Sequence, residues 1–243
     1  MILKKCVRRD LFTLVLGVDD KRIFLWSFNF IEMLPSLEHF RSLLSGEELT
    51  QANAFKFEKD RQRYTVFHGA MREVLAAYVN AASPKDLKFM RQEKGKPYID
   101  GIEFNLSHSQ DHAVFAVTHG TRVGVDIENS NRTAEYLSLA QRFFHSDEAA
   151  HLKTLSGQEQ QRVFYRYWTA KEAFVKALGE GVMFGLDKFS IDVNAPAISW
   201  IAEEKNLPID NWQLAFFVTP EDYQGALTYE GKQRELVTHY LRP

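Results

Sequence analysis

One cysteine, Cys6, occurs in 243 residues. That excludes an internal disulfide and any cysteine-rich zinc site. A surplus of either charge is also lacking: 30 Lys and Arg face 32 Asp and Glu, leaving a net charge of −2. No global field therefore draws the chain to nucleic acid, and any phosphate binding must be local. Nothing approaches the ~18 consecutive apolar residues that suggest a membrane span. No low-complexity linker divides the chain. A Gly-x-Ser-x-Gly elbow is absent, which leaves a Ser-His hydrolase at Ser107-His108-Ser109 without its usual support. The composition that remains, 45% hydrophobic and 13% aromatic, is ample for a core. With a pI near 6.5 it is ordinary for a soluble protein, and the single cysteine fits a reduced cytoplasm. Lys4, Lys5, Arg8 and Arg9 precede an apolar stretch from Leu11 to Val18. No small-residue cleavage site follows, so an N-terminal extension or first strand is expected rather than a signal peptide.

Two stretches stand out among what is present. Val123-Gly124-Val125-Asp126-Ile127-Glu128 reads as a strand. Side chains alternate faces along a strand, so Val123, Val125 and Ile127 point one way and Asp126 and Glu128 the other. Two carboxylates on one face repel and need a cation or donors between them. Trp168-Thr-Ala-Lys-Glu-Ala-Phe-Val-Lys176 reads as helix, with Trp168, Glu172 and Lys176 four apart on one face. If that face meets the acidic strand face, three carboxylates and an ammonium converge. Hard oxygen ligands with room for water suit Mg²⁺, which shares substrate phosphates. By spacing alone, such alternation is more often an exposed sheet face, and such a Glu-Lys pair a solvated salt bridge.

In chain order, Arg22 to Phe30 predicts a strand. Ser45 with Glu48 three residues later predicts a capping box. Phe55 to Arg63 is basic and aromatic, either one face of an amphipathic helix or a phosphate grip. Tyr64 to Val79 predicts a helix, with apolar residues at Val66, Phe67, Ala70, Met71, Val74, Leu75 and Tyr78. Asn80 and Ser83-Pro84 end it. Leu87 to Arg91 is a possible strand, and Glu93 to Tyr98 a basic turn. Ile102–Ser109, Ala113–Thr118 and Arg122–Glu128 predict three strands of an antiparallel meander. Helices follow at Thr133–Phe144, after the cap Ser146, and at Gln158–Leu178, which Gly179 and Gly181 stop. Strands then follow at Phe189–Val193, Ala197–Ile201, Trp212–Val218 and Gly225–Tyr229, with turns at Pro196 and Pro208. Gly69 to Leu75 faintly echoes Thr169 to Val175. Each half would then be a long helix packed on a small antiparallel sheet, an α+β pattern, although the echo does not stand alone.

Together, Gly124-Val-Asp-Ile-Glu128, Trp168-Thr-Ala-Lys-Glu-Ala-Phe-Val-Lys176, Gly95-Lys-Pro-Tyr98 and Asn105-Leu-Ser-His-Ser109 resemble the 4′-phosphopantetheinyl transferase superfamily. The length matches its surfactin-synthetase-activating (Sfp-like) type, which implies an α+β monomer of two similar halves, a pseudo-dimer. The resemblance implies an N-terminal half over 1–120 and a C-terminal half over 121–243 that carries the metal site, with the active site at their interface. It implies transfer of the phosphopantetheine arm of coenzyme A to a carrier-protein serine, releasing adenosine 3′,5′-bisphosphate. Asp126 and Glu128 would hold Mg²⁺, with Glu172 as third ligand or as base. Glu128 is the other candidate base, and Lys176 would neutralise the phosphoryl group. Arg63, Lys96, Pro97, Ser107 and His108 would contact coenzyme A, and Trp168 would form a wall. Two lysines common in the family for the 3′-phosphate align with Glu48 and Gln51. The acyl, peptidyl or polyketide carrier would meet Phe143-Phe144 and the next helix, with Arg132 and Arg142 nearby. No nucleic acid and no membrane is implied as a partner. A non-catalytic binding module and a Mg²⁺-dependent nucleotide pyrophosphate hydrolase are the alternatives. Retention of Asp126, Glu128, Glu172 and Lys176 argues against the module.

Overall fold

Amphipathic spacing in one helix and apolar alternation in one hairpin build the first half of the chain. The computed structural model describes residues 5–7 in backbone, 19–79, 81, 83–131, 135–181, 184–200 and 209–243. The basic and apolar residues at 4 and 8–18, the helix stop at Asn80, Arg132, the helix start at Thr133, the strand end Ile201 and the turn at Pro208 lie outside them. Contacts divide the chain into two units. Unit 1 is Met1–Met90, Pro97–Gly120 and Arg234–Pro243, and unit 2 is Arg91–Lys96 and Thr121–Gln233. Compared with a single cut after residue 120, the last ten residues join the first unit and the Arg91–Lys96 turn joins the second. No helix among the described residues is long and apolar enough to cross a membrane.

The elements of unit 1 begin with β1 (Lys5–Val7), β2 (Arg22–Asn29), α1 (Phe30–Met33), α2 (Leu37–Leu43), α3 (Gly46–Ala54) and α4 (Glu58–Tyr78). Short strands β3 (Met90–Arg91) and β4 (Pro97–Tyr98) flank the basic turn, and β5 (Glu103–Ser109) and β6 (His112–Thr118) follow. The strand expected over Leu87–Arg91 is thus only its last two residues. The expected helix at Tyr64 begins two turns earlier, at Glu58. Its polar opening turns carry the basic residues, and a Glu58–Arg61 ion pair of 2.7 Å spans one turn. That polarity hid the start from an apolar pattern. Val66, Phe67, Ala70, Met71, Val74 and Leu75 face a core with Trp26, Phe28, Phe104 and Phe115. Trp26 Nε1 donates to Tyr78 Oη at 2.9 Å, so the one polar group of that indole is satisfied inside the core.

The unit 1 sheet, which includes β12 (Glu235–Leu241), has the order β1-β12-β2-β6-β5. It is mixed rather than purely antiparallel. The strands β2, β6 and β5 run antiparallel, but β12 lies parallel to both β2 and β1.

Unit 2 contains β7 (Val123–Asn129), α5 (Tyr136–Phe143), α6 (Ser146–Lys153), α7 (Gly157–Leu178), β8 (Phe189–Asp192), β9 (Ala197–Trp200), β10 (Trp212–Phe216) and β11 (Tyr223–Glu230). Here the expected meander is corrected. The third strand, β7, does not continue the β5–β6 hairpin. It pairs antiparallel with β11, in the order β10-β11-β7, setting Asp126 opposite Ala226 and Glu128 opposite Gln224. Its apolar residues satisfy either sheet equally, so periodicity could not choose between them. The helix α7 packs across β7 and β11. It ends where expected, at Gly179, whose φ of +73° is a left-handed cap.

The capping box is present: Ser45 Oγ accepts from Glu48 N, and Glu48 Oε2 accepts from Ser45 N. Glu48 also receives Arg72 Nε at 2.5 Å. Arg72 is 2% exposed and donates to the carbonyls of Pro84, Lys85 and Leu87. Burial raises the Glu48 carboxyl, but His68, the Ser45 N–H and Arg72 outweigh it and hold it at about 2. Replacing Arg72 with Met leaves a partly buried carboxylate and three carbonyls without this donor. We expect Arg72→Met to lower stability by about 3–5 kcal/mol, measured by urea unfolding at neutral pH.

Candidate functional site

The site in unit 2 depends on how near a helix backbone comes to a strand. A Cβ at Gly124 would lie 2.0 Å from the Ala173 carbonyl oxygen and 2.4 Å from Ala177 N. Only glycine lets α7 settle so close to β7. Asp126 and Glu128 are two and four residues further along that same strand face. Glu172 and Lys176 flank Ala173 and Ala177 on the helix. The four side chains that the sequence paired are thus brought together.

Their electrostatics confirm the proximity. Lys176 Nζ donates to Asp126 Oδ1 at 2.6 Å, with Asp126 buried and Lys176 half-buried. Burial raises the Glu172 carboxyl above its usual range, the charges of Asp126 and Glu128 raise it further, and Lys176 opposes them. A cation placed among these oxygens would relieve that repulsion. Among the described residues, however, no three His, Cys, Asp or Glu side chains form a ready metal cage. The Lys176 ammonium already sits on one Asp126 oxygen. The donor set fits a hard ion that takes one or two carboxylates and completes its shell with water and phosphate oxygens.

Trp168 lies one turn from Glu172 and is half-buried. It meets Phe143 edge-on, with centroids 6.5 Å apart, and stacks on Phe164 at 5.9 Å. These contacts place Trp168 in the aromatic cluster between α5 and α7. Phe144 is core at 4% exposure, whereas Phe143 is half-buried with the Arg142 guanidinium 5.0 Å from its ring centre. Of the paired aromatics, only Phe143 retains surface to offer a partner.

Lys96 differs from expectation. It is buried, and its ammonium donates to the carbonyls of Val123 at 2.8 Å and Ala177 at 3.4 Å. It therefore ties the basic turn to the start of β7 and the last turn of α7, where a cation also favours the helix dipole. Pro97 follows as the half-buried first residue of β4. The spacing Gly95-Lys96-Pro97 carried no sign of that burial.

In unit 1, Ser107 and His108 are neighbours on β5, so they face opposite ways. Ser107 is buried, while His108 is exposed and stacks on Phe67 with centroids 4.7 Å apart. They do not form a Ser-His pair. Arg63 Nη2 donates to Asp111 Oδ1 at 2.6 Å, and Lys59 Nζ stands 4.0 Å from that oxygen. Asp111 was missed by sequence reading; its only signal was a turn acid between two strands. Glu48 is committed to Ser45, His68 and Arg72, so it is a structural residue of α3 rather than a substitute phosphate contact.

Gly124→Ala pushes α7 off β7; we expect a stability loss of about 1–3 kcal/mol by denaturant unfolding. Because Glu172 and Lys176 move with the helix, an activity loss of about 100-fold is expected beside it. Glu172 has a folded pKa above its unfolded value of 4.5, so its charge opposes folding at neutral pH. The cost fades as pH falls through the folded value and is gone below the unfolded one. Glu172→Gln should therefore raise the Tm at pH 7 in chelator and give no gain near pH 3. Thermal melts across that range check the sign.

The sequence matches two family models. Residues 122–228 match one described as the 4′-phosphopantetheinyl transferase superfamily, and 33–120 one described as 4′-phosphopantetheinyl transferase, N-terminal. The chain is 37% identical over 166 residues to the 4′-phosphopantetheinyl transferase HetI of Nostoc, covering 66% of this chain and 70% of that protein. It is 32% identical to the transferase Sfp of Bacillus subtilis, covering 63% and 68%. It is 30% identical to the transferase gsp of Aneurinibacillus migulanus, covering 65% and 66%.

Proposed function

The chain belongs to the 4′-phosphopantetheinyl transferase superfamily, and from that premise we propose how its side chains divide the work. It transfers the phosphopantetheine arm of coenzyme A to carrier proteins. In our reading the acceptor is a serine hydroxyl. Its oxygen attacks the phosphorus that bears the pantetheine arm. The bond from that phosphorus to the bridging oxygen breaks, and adenosine 3′,5′-bisphosphate leaves.

The observation that carries this assignment is the convergence of Asp126, Glu128, Glu172 and Lys176, closed by the 2.6 Å Lys176–Asp126 contact. Phosphoryl transfer asks mainly for positioning and charge neutralisation. Lys176, anchored by Asp126, neutralises charge on the phosphoryl oxygens. Asp126 and Glu128 would hold Mg²⁺, with Glu172 as third ligand or as base and water and phosphate oxygens completing the shell, and the ion would supply charge stabilisation at the phosphoryl group. The serine proton goes to Glu172 or Glu128, directly or through water; the raised Glu172 carboxyl is a stronger base than an ordinary carboxylate. By the family resemblance, Arg63 and His108 contact the phosphates of coenzyme A, with Ser107 and Pro97 in supporting places. Lys96 acts through the backbone that it braces. Phe143 and Arg142 receive the carrier. The reading carries with it a cytoplasmic monomer of two similar halves.

Intact mass of an apo carrier protein, incubated with this chain, coenzyme A and Mg²⁺, tests the proposal. We expect a phosphopantetheine mass shift that disappears with Asp126→Ala, with Lys176→Ala and with chelator. Hydrolysed coenzyme A beside an unmodified carrier would instead identify a pyrophosphate hydrolase. A shift that survives both substitutions would remove these residues from the mechanism.

A further inference from the structure

A second lysine of α7 is more deeply buried than Lys176 and has no part in the chemistry above. Lys171 is 0% exposed, and its partner Glu148, on α6, is 3% exposed. Lys171 Nζ donates to Glu148 Oε2 at 2.8 Å, to the Leu186 carbonyl at 2.8 Å and to the Phe189 carbonyl at 2.7 Å. An ammonium has three N–H donors, and all three have acceptors here. Glu148 is equally committed: Oε1 accepts from Ile191 N at 2.7 Å and Oε2 from His145 N at 3.0 Å. Apolar rings enclose the pair, with Phe189 4.4 Å and Phe144 5.6 Å from Nζ.

Stability alone is a poor reason for such a pair. Removing two charges from water is costly, and well-packed apolar replacements are often neutral or stabilising. What an apolar pair cannot supply is direction. Three oxygens on α6, on β8 and in the turn before it fix one point for Nζ, and thus one rotation for α7. Glu172 is the next residue, about 100° around the helix, and Lys176 lies about 40° beyond it. We propose that the Lys171–Glu148 pair is a positioning element: it fixes the rotation of α7 and thereby aims Glu172 and Lys176 at Asp126 and Glu128. Gly124 sets how near the helix lies; the buried pair sets which way it faces. The inference rests on the assignment of Glu172 and Lys176 to the reaction.

The test compares wild type, Lys171→Met, Glu148→Gln and the double variant Lys171→Met/Glu148→Leu. Tm is read by circular dichroism, and kcat and KM by carrier loading at a temperature where each protein is fully folded. Lys171→Met should lower the Tm, and the double variant should recover most of it. In the double variant kcat should stay depressed by about 10- to 100-fold, the scale of a misplacement near 1 Å. Its KM for coenzyme A should stay near the wild-type value. Glu148→Gln keeps the side chain's shape and should fold, with kcat reduced several-fold. Wild-type kcat in a folded double variant, or in Glu148→Gln, overturns the proposal, because the pair would then serve stability only. A crystal structure of the double variant supplies a readout free of activity. Lys176 withdrawn from Asp126 supports the positioning role, and an unchanged contact overturns it. A wild type that loads no carrier counts against the proposed function; the positioning role is then decided by that structure.

Discussion

Everything at the candidate site depends on one close approach, that of the α7 backbone to β7 at Gly124. Any side chain there would meet Ala173 and Ala177. Because the approach is backbone to backbone, the residues on either side of it inherit fixed relations. Strand alternation puts Asp126 and Glu128 on the helix-facing side. Helical periodicity puts Glu172 and Lys176 beside the contact. The expense of this arrangement is electrostatic: three carboxylates are gathered where burial and mutual repulsion push Glu172 upward. Lys176 offsets part of that repulsion without removing it. A site in that condition favours an incoming cation and resists further acidic charge, which suits phosphate binding only when a metal ion accompanies the phosphate.

Much of this was legible in the sequence, for a physical reason. Period-two alternation in Val123–Glu128 and four-residue spacing in Trp168–Lys176 are local properties, and each survived folding intact. The capping box at Ser45 and Glu48 and the left-handed stop at Gly179 are equally local. Long-range choices were less legible. β7 looked like the third strand of a meander, yet it pairs with β11. The strand β12 went unread, although Leu236, Val237 and Thr238 give it ordinary strand composition. Its parallel place between β1 and β2 depends on partners more than two hundred residues away.

Side chains whose polarity misled were those bonded to backbone carbonyls. The family resemblance made Lys96 a coenzyme A contact, while its glycine-proline turn read as plain surface. Its ammonium instead donates to Val123 and Ala177. Arg72 likewise spends its guanidinium on Glu48 and three carbonyls. Carbonyl acceptors leave no mark in a sequence, since every residue has one. A buried cation of this kind can be told from a functional one only after the chain is folded.

The two lysines of α7 show the same distinction within five residues. Lys171 and Lys176 are chemically identical, and both pair with a carboxylate. Lys171 is fully enclosed, with one acceptor for each of its three N–H groups, so a substrate has nothing left to bind. Lys176 remains 29% exposed beside Asp126. The first has the properties of a fixed point in the fold and the second those of a group that can meet a ligand. Burial, not residue type, separates them. It also explains why the helix needs both: a half-exposed lysine on a long flexible stem aims well only if the helix beneath it cannot turn. A charge held by three fixed oxygens is anchored along three directions at once, which is the constraint on rotation that the proposed positioning role requires.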